Sequence, residues 1–102
     1  MSCKQNITAI IYDRKGRIIS IGRNSYLKTH PLQAKYAMHV GTPDKIFLHA
    51  EIEALVKLKD WTRAARILVT RYSKSGEPIL AKPCKVCQHA LSLAGITQIE
   101  HT

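Results

Sequence analysis

The spacing between apolar residues changes period along this chain, and that alternation restricts the folds open to it more than any single residue does. ITAIIY at 7–12 and IISIG at 18–22 are short, apolar and β-branched, and they flank the polar stretch DRKGR at 13–17. Two such runs around a glycine-containing turn predict a β-hairpin. From 48 to 59 the period lengthens: His49, Ile52, Leu55, Val56 and Lys59 recur near a helical interval with no proline between them, which predicts a helix. RILVTRY at 66–72 returns to a strand pattern and is closed by the turn residues SKSGEP at 73–78. Pro83 then opens, and Gly95 closes, a run in which Val86, Ala90, Leu91 and Leu93 are apolar, the asymmetry expected of helix ends. ITQI at 96–99 alternates as a last strand would. Between 25 and 47, Pro31 and Pro43 bracket Leu32, Lys35, Tyr36 and His39, a spacing that predicts a short helix within a connecting loop.

The predicted order is strand, strand, helix, strand, helix, strand, which calls for an α/β sheet with crossover connections in one domain spanning residues 1–102. A hydrophobic content of 45% supports a core of its own. No apolar run approaches the roughly 20 residues of a bilayer span, and the polar start MSCKQN does not read as a secretory leader. The expectation is a cytoplasmic protein with no membrane partner. An unpaired strand edge in so small a sheet further predicts a homo-oligomer.

Charge narrows the partners. Sixteen Lys and Arg against seven Asp and Glu leave a formal net charge of +9, which favours phosphate-bearing molecules, whether free nucleotides or nucleic acid. The cations are scattered, and only Arg14-Lys15-Gly16-Arg17 is dense; its turn chemistry also fits a merely solvated hairpin tip.

Two predicted helix starts carry metal-ligand side chains, His49 at the first and Cys84 with Cys87 at the second. Cysteines at i and i+3 lie on one helical face, so both sulfurs can reach one ion. One imidazole and two thiolates suit Zn²⁺ and leave a fourth position open, as catalytic zinc requires. Helix N-termini also favour the thiolate form. Glu51 follows His49 by two residues, too far around the helix to be a ligand from the same face, yet a first-turn side chain can lean back to accept a proton beside the metal.

His49-Ala50-Glu51 followed by Pro83-Cys84-Lys85-Val86-Cys87 resembles the H-x-E and P-C-x-x-C signature of the zinc-dependent cytidine/deoxycytidylate deaminase superfamily. The string His49-Ala50-Glu51-Ile52 with Ala54-Leu55 is also similar to tRNA adenosine deaminases. The resemblance implies a layered α/β/α sheet in a minimal version ending after the fourth strand, with His49, Cys84 and Cys87 holding Zn²⁺ and Glu51 shuttling protons. It places Asn24, Ala50 and Pro83 against the substrate. It further implies hydrolytic release of ammonia from a cytosine-containing nucleoside or nucleotide; the basic loop after Asn24 would suit a phosphate and puts deoxycytidylate first, while the +9 charge points to cytosine or adenine in single-stranded DNA or RNA as the alternative.

Other readings stand beside these. Cys3 could complete a closed Cys₃His structural site, making the chain a non-catalytic zinc-stabilised nucleic-acid-binding module; otherwise it is a free thiol. Without its neighbours Glu51 would be a glutamate facing the helix dipole, and Glu53 is read that way. His30, His39, His89 and His101 have no motif around them. Trp61 and Tyr72 read as core or edge residues, with stacking on a base as the functional alternative. Lys28 and His30 suit either a 5′-phosphate or a solvated loop.

Overall fold

The computed structural model describes residues 7–24, 35, 38, 49–58 and 60–102. Its first two strands, β1 (Ile7–Tyr12) and β2 (Ile18–Arg23), pair antiparallel as the predicted hairpin, with a register shift between Ile11 and Tyr12. Asp13 builds the turn. Its Oδ1 accepts from the Lys15 and Arg17 amides, both at 2.9 Å, while Gly16 supplies the positive φ of 81° that closes the loop.

Helix α1 (Ala50–Lys57) carries the chain across β1 to β3 (Arg66–Arg71), and helix α2 (Lys85–Leu93) connects β3 to β4 (Gln98–His101). The strand order is β2-β1-β3-β4, antiparallel except for the parallel β3–β4 pair that the α2 crossover produces. One sheet face, bearing Ala9 and Ile11 of β1 and Ile67 and Val69 of β3, packs into a single core with Ile52 and Leu55 of α1 and Val86, Ala90 and Leu91 of α2. Each of the larger side chains contributes about 1.5–3 kcal/mol by leaving water. The four-stranded sheet and two helices match the α/β expectation. Helices α1 and α2 both lie on this one face, and Thr8, Ile10, Tyr12 and Leu68 on the other are half-buried.

Three contacts seat α1. A Cβ on Gly22 of β2 would overlap the backbone of Ala50 and Ala54, so the absence of a side chain is what lets the first turn of the helix touch the strand. Ser20 donates to the Ala54 carbonyl at 2.7 Å, and Trp61 Nε1 donates to the Leu55 carbonyl at 2.8 Å. The latter holds the far end of α1 against a one-turn 3₁₀ helix, Trp61–Arg63, which the apolar pattern did not predict.

Element ends differ from the predicted ones where capping intervenes. At the end of α2, the Gly95 amide donates to Ser92 and the Ile96 amide to Leu91, both at 3.0 Å, and Gly95 has φ 79°. This is a Schellman closure with Ile96 buried against the helix it terminates, so β4 starts at Gln98 rather than Ile96. β3 ends one residue early because Tyr72 turns out to bridge Pro78 and is half-exposed. Of the predicted helix between 32 and 40, Lys35 and Met38 are described and helical; the rest of 25–48, including Lys28, His30 and His39, lies outside the described residues, as does Cys3. No described helix is long and apolar enough to cross a membrane.

Candidate metal centre

Two helix N-termini meet at one end of the sheet. His49 is the N-cap of α1 and Cys84 the N-cap of α2, both in extended backbone and neither using its side chain to cap its own helix. Both side chains are therefore turned outward from helix starts whose partial positive charge favours anionic donors. Cys87, one turn into α2, is buried beneath them.

His49 Nδ1 lies 3.4 Å from Cys84 Sγ and 3.3 Å from Cys87 Sγ. The three donor atoms all fall within 4.8 Å of one another, close enough to share a single metal ion. A tetrahedral ion with bonds of about 2.3 Å to sulfur and about 2.05 Å to nitrogen would set each N···S separation near 3.6 Å, so the residues fit a metal with little movement. Across the described residues this is the one group of three such donors.

Proton placement fits ligation too. The Cys87 thiol donates to Cys84, which holds Cys84 well below the usual thiol range, and His49 adds to the effect. Cys87 is pushed up, first by that hydrogen bond to Cys84, then by burial and by the nearby Glu51 carboxylate. Cys84 is thus biased toward the thiolate form that a cation binds.

Glu51 belongs to this cluster without being one of the three donors. It is buried, 5% exposed, and its carboxylate interacts with His49, Cys84 and the Cys87 side chain. Burial raises its pKa above 4.5, opposed by a hydrogen bond from its own backbone amide and by His49.

The remaining predicted site residues take mixed positions. Ala50 is fully buried where α1 meets Gly22. Pro83 is buried beside Cys84, and its carbonyl accepts from Gln88 Nε2 at 2.8 Å. Asn24 follows β2 and closes the open end of the hairpin, its Oδ1 accepting from the Ile7 amide at 3.0 Å and its own amide donating to the Ile7 carbonyl at 3.3 Å. Glu53 has a role beyond compensating the dipole: it accepts from the Arg23 amide at 3.0 Å and from Lys57 Nζ at 3.1 Å, strapping α1 to β2. His101 is exposed on β4 and His89 half-buried on α2, both outside the donor group.

Sequence reasoning missed Gly22. A glycine within an otherwise β-branched strand was the available signal of close backbone approach. No protein-family model matches the chain, and no curated protein matches it significantly.

Proposed function

We propose that this chain is a zinc-dependent hydrolytic deaminase of the cytidine/deoxycytidylate deaminase kind, converting a cytosine-containing nucleoside or nucleotide to its uracil form. The observation that carries the reading is the buried Glu51 carboxylate against the His49, Cys84 and Cys87 donors. A closed structural site has no use for a desolvated acid beside its ligands, whereas a proton-transfer site does.

In this reading His49, Cys84 and Cys87 hold Zn²⁺, which supplies Lewis acidity that makes water nucleophilic near neutral pH. Glu51 accepts a proton from the water that attacks the amine-bearing ring carbon. It would return that proton to the ring nitrogen and then carry the remaining proton of the added hydroxyl to the amine, so that the C–N bond breaks, ammonia departs and the carbon keeps the oxygen as a carbonyl. Burial supports both duties, because raising the acid's pKa makes it a better proton acceptor than an exposed glutamate while leaving it able to give the proton back. Ala50 and Pro83, at the two helix starts, would flank the ring, and Asn24 would reach the sugar from the end of β2.

The test is ammonia release from cytidine, deoxycytidine and their monophosphates by zinc-loaded protein. Turnover is expected on at least one of them, highest on deoxycytidylate, and Glu51→Ala should lower it by about 10²–10⁴-fold while zinc remains bound. Absence of zinc-dependent turnover across that panel, with oligonucleotides included, would remove the proposal.

A further inference from the structure

The densest positive charge in the described structure sits at the opposite end of the sheet from His49. Strand pairing sets that separation. Ile7 of β1 pairs with Arg71 at the end near the donors, while Tyr12 pairs with Ile18 and Arg66 at the hairpin end. The five residue steps from Arg17 to Gly22 alone span about 17 Å.

At that far end Asp13, Arg14, Lys15 and Arg17 of the hairpin face Thr62 and Arg63 of the 3₁₀ turn across a cleft of about 250 Å³. Backbone hydrogen bonds tie its two walls to the sheet. The Ala65 amide donates to the Tyr12 carbonyl at 2.9 Å, joining the 3₁₀ segment to β1, and the Asp13 amide donates to the Arg17 carbonyl at 2.9 Å. Asp13 is buried and spends both carboxylate oxygens inside the hairpin, Oδ2 accepting from Arg17 Nε at 2.8 Å. Among the described ion pairs, Arg17–Asp13 is the one in this cleft; Arg14, Lys15 and Arg63 enter none. Asp60 flanks the cleft, but its carboxylate is engaged with the Thr62 amide and hydroxyl. Arg14, Lys15 and Arg63 crowd beside the Arg17–Asp13 pair, the four cations outnumber the two carboxylates, and an anion would relieve the repulsion that remains.

We propose that this cleft binds the phosphodiester backbone of a polynucleotide. The lining residues present charged or hydroxyl side chains and no aromatic ring, so the cleft grips phosphate and offers no seat for a base. A mononucleotide would engage only part of it, whereas successive phosphates of one strand engage all four cations. Arginine forks match phosphate oxygens in pairs, and the +9 net charge steers a polyanion toward the molecule. Since binding is measured without turnover, the inference stands or falls apart from the deaminase reading.

Fluorescence anisotropy of a labelled single-stranded oligonucleotide titrated with full-length protein tests it. The Arg14→Ala/Lys15→Ala/Arg63→Ala protein is expected to bind at least about tenfold more weakly, with the slope of log affinity against log salt reduced by about 2–3. Lys74→Ala, which removes an exposed cation in another turn, should change binding less than about twofold. Circular dichroism checks the fold, and the single variants Lys15→Glu and Arg63→Glu carry the same expectation should the triple variant unfold. Unchanged binding by the cleft variants, an equal loss from Lys74→Ala, or competition by polyglutamate or deoxycytidylate as effective as by unlabelled oligonucleotide would each overturn the assignment.

Discussion

The two ends of the sheet handle charge in opposite ways. At the helix end, His49, Cys84, Cys87 and Glu51 are drawn together out of water, and their protonation is set by one another and by burial. At the hairpin end, Arg14, Lys15, Arg17 and Arg63 stay exposed, and only Asp13 beneath them is buried. The first arrangement suits a compact cation and proton transfer; the second suits an extended anion whose binding depends on salt. Desolvation makes the difference: a buried ionisable group responds strongly to its nearest partners, an exposed one mainly to summed charge.

The contrast breaks most visibly with metal. Cys87→Ala and His49→Ala should each lower zinc affinity by more than about 100-fold, since losing a ligand costs more than losing a residue behind it. The roughly 4 kcal/mol of stabilisation expected at a free zinc level a thousandfold above Kd should vanish with it. Zinc titration and thermal melts read both, and Arg63→Glu at the far end should leave them unchanged.

Paired glycine substitutions come next. Gly22→Ala drives a methyl into the backbone of α1 and should cost about 3 kcal/mol in urea denaturation, with weaker zinc binding because the His49 end of the helix moves. Gly16→Ala meets open space and pays only for its left-handed backbone, about 1 kcal/mol, with zinc affinity untouched.

Smaller effects separate the two buried acids by pH. In metal-free protein Glu51 has a raised pKa, so its contribution is intact below 4.5 and is lost as pH rises through the folded value. Glu51→Gln should therefore melt higher than wild type at neutral pH, with the gap closing in acid. Asp13 runs the other way. Its lowered pKa, due first to the Arg17 amide, means its contribution is present above 3.8 and lost as pH falls through the folded value. Asp13→Asn should lower the melting temperature by a few degrees at neutral pH, and the difference should shrink toward pH 2.

Much of the fold was legible because period and turn chemistry are local. β1 was read at its observed bounds, and the hairpin followed from Asp13 and Gly16. The donors were legible as well, since a histidine at one helix start and two cysteines at another have few structural uses. Less legible were Ile96, whose apolar alternation with Ile99 looked like strand until the Schellman closure claimed it, and Trp61, whose indole needed the Leu55 carbonyl to find its role. Asn24 joins the hairpin's open end by contacts that spacing does not reveal.

Order of elements, turn positions and the kinds of atoms available for ligation are properties of neighbouring residues, and the chain carries them openly. Bringing His49 within 3.4 Å of sulfurs 35 and 38 residues away required α1 to settle on Gly22 and α2 to cross back over β3. That packing also buried Glu51 beside the donors and left the hairpin cations in solvent. Distance and desolvation between remote segments arise only once the segments share a core, which is why proton affinities and the two unlike ends of the sheet emerge at that level.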